Sequence, residues 1–342
     1  MSERVLVAMS GGVDSSVAAA RLREAGHDVT GITLKLWGGE SDSGCCSAAD
    51  VEDARRVAAQ LDIPHYVFNF TEAFDADVVQ PYVASHAAGE TPNPCVECNR
   101  TIKFGRLLER ADALGFDRVA TGHHARVVRD GDGLALARGV DRAKDQSYVL
   151  YMLSERELGR VLLPIGELTK AEVRAHATRL GLRTADKPES MDVCFITRGG
   201  RARFLHDRLG ARPGPIVDDA GSVVGQHTGV AAFTVGQRRG LGVAVGERRF
   251  VVDVDARSAT VTVGRKEQLL RPAVDLRDLR FVAGAPPTGA DLLVQSRAHG
   301  NPTPGRLQGD RVEFAAPQPR VAPGQVVALY DGDRVLGGGI AA

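Results

Sequence analysis

Val5-Leu6-Val7-Ala8-Met9-Ser10-Gly11-Gly12-Val13-Asp14-Ser15-Ser16 is the stretch on which the fold turns. Its first five residues are a short continuous apolar run, the mark of a buried strand. Ser10-Gly11-Gly12 is a tight glycine turn. From Val13 the residues Val13, Val17, Ala20 and Leu22 fall near one face of a helix that ends at Ala25-Gly26. Strand, glycine turn and helix start together make an anion cradle: backbone N–H groups point outward, and the helix N-terminus carries about half an elementary charge. The lysine of G-x-x-x-x-G-K-[ST] is absent, and the run is not G-x-G-x-x-G.

Two adjacent glycines, the hydroxyls of Ser10, Ser15 and Ser16, and the Asp14 carboxylate crowd into seven residues. The plainer reading is an ordinary strand-to-helix turn, which does not need that chemistry. The run resembles the PP-loop of ATP pyrophosphatases, enzymes that split ATP into AMP and pyrophosphate while adenylating a substrate oxygen. Asp14 could hold Mg²⁺ on a phosphate chain.

At 342 residues the chain has room for two or three domains. With Lys and Arg balanced by Asp and Glu, the net charge is zero, so nucleic acid could be held only by local basic patches. No 18-residue apolar run and no apolar signal core are present, which points to a soluble cytoplasmic protein with no membrane partner. In that compartment Cys45, Cys46, Cys95, Cys98 and Cys194 are not a disulfide framework.

Outward from the glycine turn, Val29 to Leu36 reads as a strand, Ala48 to Leu61 as a helix, Tyr66 to Phe70 as a strand, and helix resumes near Glu72. Strands alternating with helices predict an α/β fold with a parallel sheet, its ligand at the carboxyl ends of the strands. Thr91-Pro92-Asn93-Pro94-Cys95-Val96-Glu97-Cys98-Asn99-Arg100 reads as a stiff loop, because two prolines oppose regular structure. A helix over Phe104 to Leu114, a strand over Asp117 to His124, the polar run Lys144 to Tyr148 and an amphipathic helix over Leu168 to Leu180 follow. Near Arg198 the character changes. Arg198, Arg201, Arg203, Arg208 and Arg212 crowd a short stretch, Arg238-Arg239 lie in a glycine-rich segment, and strand patterns run from Phe250 to the end as a small β-barrel. Each arginine is equally well a solvated surface charge.

Cys95-x-x-Cys98, with Cys194 far downstream, fits zinc, redox and structural readings alike, and His123 and His124 could complete a site. No second C-x-x-C exists for a four-ligand zinc knuckle. A sharper reading pairs Cys98 with Cys194 in one active site: one carries a transferable sulfur as a persulfide and the other resolves it. Cys45-Cys46 read as small buried hydrophobes. His27, His65, His86, His176 and His206 show no metal-like spacing and read as surface or satisfied core residues.

A PP-loop joined in order to TPNPCVECNRTIKF, ATGHH, KDQSY, a cysteine before Phe-Ile, and TVGQRRGLG resembles the tRNA-specific 2-thiouridylases, the MnmA family. The resemblance spans nearly the whole chain. It implies a PP-loop ATP-binding domain over 1–198, a small central tRNA-contacting domain over 199–267 and a C-terminal β-barrel over 268–342. It implies thiolation of C2 of the wobble uridine in tRNAs for Lys, Glu and Gln, with ATP and Mg²⁺ as cofactors and an upstream sulfur carrier or cysteine desulfurase as partner. By the same resemblance Ala8, Met9, Ser10, Gly11, Gly12, Val13, Asp14, Ser15, Leu34 and Gly122 would hold ATP. Asn93, Pro94 and Cys95 would line the target base, which must leave its stack to be reached. Lys144, Asp145, Gln146, Arg297 and Ala298 would touch tRNA. Cys194 would carry the persulfide, and Cys98 would be the nucleophile that closes a Cys98–Cys194 disulfide.

One departure stands out. Many family members have Asp where this chain has Cys95, and that Asp is assigned acid/base work. Cys95, Cys98 and Cys194 could instead ligate a [4Fe–4S] cluster. Two other functions fit parts of the sequence. One is a small-molecule adenylating ligase of the asparagine, GMP or argininosuccinate synthetase type, and the other is a non-catalytic RNA-binding or metal-sensing protein.

Overall fold

The computed structural model describes residues 2–37, 47–131, 133–188, 193–196, 200–243, 246–298 and 300–342. Cys45, Cys46, Arg198 and the Ser190–Asp192 run lie outside them. The chain opens with β1 (Arg4–Ala8), α1 (Val13–Glu24), β2 (Asp28–Lys35), α2 (Ala48–Gln60) and β3 (His65–Asn69). It continues through β4 (Arg118–Thr121), the hairpin β5 (Ala125–Asp130) and β6 (Gly133–Arg138), β7 (Val161–Leu162) and α3 (Lys170–Arg179). Strands β3-β2-β1-β4-β7 form one parallel sheet in that order. From β1 the chain turns outward to β2 on one side, and β4 lies on the other. The carboxyl ends of β1 and β4 are therefore the switch point at which open α/β sheets take their ligands.

The apolar run Val5-Leu6-Val7 is fully buried because helices cover both faces of the sheet. Helix α1 is buried on more than the one face its periodicity suggested: Ser16, Val17, Ala18, Ala19 and Ala20 are all inside. Small side chains let it sit close to the sheet on one side and α3 on the other.

The Thr91–Arg100 segment is not a loop. Helix begins at Pro94, runs through Pro94–Glu97, widens to the π form over Cys98–Arg106 and continues over Leu107–Ala113. Proline is no obstacle where it stands: at the first helical position its missing N–H is one the helix leaves unpaired anyway. Asn93 supplies the cap, its side-chain oxygen accepting from the Cys95 backbone N–H at 3.1 Å.

After α4 (Gly200–Leu209) come β8 (Gly214–Val217), β9 (Val223–His227), β10 (Phe250–Asp255) and β11 (Thr260–Gly264), a four-stranded sheet ordered β10-β11-β8-β9. The Phe250/Thr260 hairpin thus belongs to this central sheet and not to the barrel. The barrel consists of β12 (Leu270–Phe281), β13 (Asp291–Gln295), β14 (Thr303–Gln308), β15 (Arg311–Pro319), β16 (Val326–Asp331) and β17 (Arg334–Ala341). Its order is β12-β15-β14-β13-β16-β17, and β17 pairs back onto β12, which closes it and removes its free edges.

The barrel is joined to the first domain by strand pairing. β6 pairs with β17, so the β5–β6 hairpin extends the barrel sheet. Beneath that seam Arg138 donates to Asp145 at 2.9 Å and to Gln295 at 2.8 Å, and lies 3.7 Å over the Tyr330 ring. Asp145 also accepts from the backbone of Gly139 and Ser147. Both charged side chains are buried. Asp145 neutralises a buried arginine. Asp145→Ala is expected to lower stability by about 3–5 kcal/mol, because Arg138 is left buried without its counter-charge. A urea titration checks this; an RNA-contact role would instead weaken RNA binding at unchanged stability.

Candidate active site

A cavity of about 420 Å³ opens at the switch point. Its floor is the glycine turn and its neighbours: Ala8, Met9, Ser10, Gly12, Val13, Asp14 and Ser15 from the first strand and helix, Leu34 from β2, and Gly122 after β4. Ser15 Oγ accepts the Ser10 backbone N–H at 3.1 Å and donates to the Gly12 carbonyl at 3.2 Å, which folds the turn around its own hydroxyls. Gly122 must be glycine for close approach: a Cβ there would stand 2.6 Å from the Ser15 nitrogen. Gly11 lies outside the lining. Its φ of +72° suits glycine, and a Cβ would stand 2.2 Å from the Asp50 carbonyl oxygen. Lys187 ties this turn to α2, donating to the Gly11 carbonyl at 3.0 Å, to Asp50 at 2.6 Å and to Asp53 at 2.7 Å.

Asp14 points to Lys170 and His124. Lys170 Nζ lies 2.7 Å from each of its carboxylate oxygens, and His124 Nε2 lies 3.3 Å from one. Burial works to raise the Asp14 pKa, but hydrogen bonds from His124 and Lys170 and the charge of Lys170 outweigh it and hold the carboxyl below its ordinary 3.8. The lowered folded-state value contributes stability above 3.8 that is lost as pH falls through the folded pKa. His123 turns away, its Nδ1 2.7 Å from Thr121 Oγ1, and burial with Lys103 nearby keeps its ring neutral.

The same cavity is walled by Pro94, Cys95, Cys98 and Asn99 on one helix and by Val193, Cys194 and Phe195 on a separate segment. Distant cysteines are thus gathered beside the anion cradle. Among the described residues no group of three His, Cys, Asp or Glu is brought together so as to hold a metal ion. Lys144 and Gln146 line the cavity as well, while Asn93 is used as the helix cap.

The cysteine helix is held from outside. Thr91 Oγ1 donates to Thr234 Oγ1 at 3.3 Å, its N–H donates to the Pro323 carbonyl at 2.7 Å, and its own carbonyl accepts from Gln325 at 2.5 Å. Thr234 and Gln325 also line a second cleft of about 620 Å³ between the central sheet and the barrel, where Arg201, Arg238, Arg239, Arg297 and Arg320 gather. Arg297 and Ala298 are exposed, their carbonyls accepting from Gln295. The wider basic stretch is partly committed elsewhere: Arg208 reaches Asp75 and lies over the Trp37 ring, and Arg212 donates to the Arg257 carbonyl.

Lys170 and Lys187 escaped sequence reasoning. Lys170 left a trace: Thr169 and Glu172 form a capping box that puts it at the first helical position, where a cation opposes the helix dipole. Lys187 left none. His86 departs from a satisfied core residue. It is buried with Nε2 unpartnered among the described residues, and burial together with Arg201 lowers its pKa to about 4. Of the other histidines, His27 faces Glu3, His176 faces Glu24 and His65 meets Thr33.

Residues 3–198 match the family model described as the tRNA methyl transferase HUP domain. Residues 202–265 match its PRC-barrel domain, and residues 272–341 an aminomethyltransferase β-barrel domain. A tRNA-specific 2-thiouridylase MnmA of Roseiflexus sp. (strain RS-1) is 48% identical over 366 residues, with 98% of each chain covered. The chain belongs to the MnmA family. The family's protein from Chloroflexus aggregans is 50% identical over 348 residues, covering 98% of this chain and 97% of its own, and that from Thermobifida fusca is 50% identical over 348 residues, covering 98% and 95%. The family therefore spans all three sheets, and both walls of the cavity fall within its first domain.

Proposed function

We propose that this chain is an ATP-dependent tRNA-uridine 2-sulfurtransferase acting on the wobble uridine. The observation that carries the reading is the single cavity that joins an anion cradle to Cys95, Cys98 and Cys194. An adenylating ligase needs the cradle and not the thiols; a passive RNA-binding protein needs neither. The chemistry is written in two parts. Uracil O2 attacks the α-phosphorus of ATP, the bond to the pyrophosphate breaks, and C2 becomes electrophilic with AMP as its leaving group. The terminal sulfur of a Cys194 persulfide then attacks C2 and AMP departs. The Cys98 thiolate attacks the Cys194 sulfur, which releases thiouridine and leaves a Cys98–Cys194 disulfide for an external thiol to reduce.

Ala8 to Ser15, Leu34 and Gly122 would hold ATP. The Ser15–Ser10 bond shapes the turn, and the backbone N–H groups of the first turn of α1 would serve as donors for the phosphates. Asp14 would hold Mg²⁺ on the phosphates by giving up part of its contact with Lys170, and the ion would neutralise pyrophosphate charge. Pro94 and Cys95 wall the base site. Lys144 and Gln146 edge it, and the arginine cleft, with Arg297 and Ala298, would take the RNA backbone. We assign 1–198, 199–267 and 268–342 as the catalytic, central and barrel domains. Substrates would be the tRNAs for Lys, Glu and Gln, with sulfur arriving from a carrier or cysteine desulfurase in the cytoplasm. Among the described residues no helix is long and apolar enough to cross a membrane.

Incubation with ATP, unmodified tRNA and a persulfide donor tests the reading: tRNA should be retarded on a mercury-containing gel, with one AMP per sulfur. Pyrophosphate exchange driven by amino acids and not by tRNA would contradict it. Lys170→Met is expected to lower RNA-dependent AMP formation about 100-fold, because Asp14 loses its main counter-charge and its orientation. Steady-state kinetics in ATP check this.

A further inference from the structure

Two buried polar side chains of the cavity wall keep an atom that no described group satisfies: Asn99 Oδ1 and His124 Nδ1. His124 is already engaged with Asp14 through its other nitrogen. Asn99 is almost fully buried, and its Nδ2 donates to the Val149 carbonyl at 3.0 Å. That bond decides which way round the amide stands, since the reverse would set two oxygens face to face. The remaining atom is therefore an acceptor. A buried acceptor without a donor is destabilising, a cost that a ligand's N–H would offset.

We propose that Asn99 is a specificity-determining residue that accepts the N3–H of the target uracil, an inference that rests on the function proposed above. Uracil offers O2 as the nucleophile and C2 as the carbon that receives sulfur. N3–H, bonded to C2, is the ring's only N–H donor once N1 carries the ribose. Asn99 lines the same cavity as Cys194, whose persulfide sulfur attacks C2, the ring atom next to N3. Cytosine presents a lone pair at N3, which would meet the amide oxygen in repulsion. As O2 bonds to phosphorus, N3–H grows more acidic and its hydrogen bond strengthens, so the contribution falls on kcat as well as KM. No proton passes to Asn99.

The test uses anticodon stem-loop RNAs carrying either uridine or 3-deazauridine at the wobble position. The analogue keeps O2 and the ring shape and replaces N3–H by C–H. The wild-type enzyme should favour uridine by about 100-fold or more in kcat/KM. Asn99→Ala should lower uridine turnover by a similar factor and leave the analogue nearly unchanged, so that the two RNAs converge to within about threefold. Asn99→Asp retains an acceptor and should keep the preference for uridine; ATP affinity and melting temperature report whether each variant is folded. Equal losses on both RNAs in folded Asn99→Ala, an unchanged preference, or a folded Asn99→Asp without preference would overturn the proposal. If wild type thiolates neither RNA, the thiolation reading itself fails, and this inference with it.

Discussion

Cys194→Ser is expected to abolish thiouridine formation while leaving adenylation intact. The serine keeps the shape of the half-buried side chain beside Phe195 and cannot carry a persulfide sulfur. Adenylation draws on the other wall, where Ser10, Asp14 and Ser15 shape the cradle. A rapid-mixing experiment with labelled ATP should therefore show a burst of one pyrophosphate per active site, with AMP held on the RNA and no retarded tRNA. Cys98→Ser should differ: one sulfur reaches C2, but the mixed disulfide between RNA and Cys194 loses the thiol assigned to resolve it, and only Cys95 remains on that wall among the described residues. Multiple-turnover thiolation by Cys194→Ser would show that sulfur comes by another route.

Gly122→Ala should destroy nucleotide binding. Its Cβ would stand 2.6 Å from the Ser15 nitrogen and 2.7 Å from the Asp14 carbonyl carbon, both backbone atoms of the helix start that forms the cradle. Overpacking of this kind costs about 1–3 kcal/mol, and relief can come only by moving the cradle itself. ATP affinity is expected to fall at least about 100-fold, equivalent to some 2.7 kcal/mol. Gly12→Ala is the internal control. Its nearest neighbour would be Ser10 Oγ at 3.4 Å, so the empty protein should tolerate it, and any loss of ATP binding would report the phosphate's close approach. Calorimetric titration with ATP, alongside thermal unfolding, separates the two cases. Equal ATP affinity in Gly122→Ala and wild type would mean the nucleotide does not sit on this turn.

What the sequence disclosed, and what it withheld, divides along physical lines. The cradle was legible because strand, glycine turn and helix cap are local signals within a dozen residues. The parallel sheet followed from alternation, and the barrel from its strand pattern. Pro94 misled because a proline that opposes helix in the interior is welcome at its first position, and only the Asn93 cap distinguishes the two cases. The buried pair of Asp145 with Arg138 was not legible, because it depends on Gln295 from the barrel, 150 residues further on in the chain, and nothing nearby in sequence announces a buried charge pair. Lys170 meets Asp14 only because α3 packs against α1. Joining Thr91 to the arginine cleft likewise required three elements distant in sequence to fold together. Those contacts give the cleft a mechanical link to the cysteine helix.

The central claim is that the oxygen of the target base, and no other nucleophile, attacks the α-phosphorus. The most direct measurement uses tRNA carrying ¹⁸O at O2 of the wobble uridine, turned over with ATP and a persulfide donor, with products read by mass spectrometry. The account predicts that each thiouridine formed leaves one ¹⁸O in AMP and none in pyrophosphate. Unlabelled AMP alongside thiolated tRNA would contradict it.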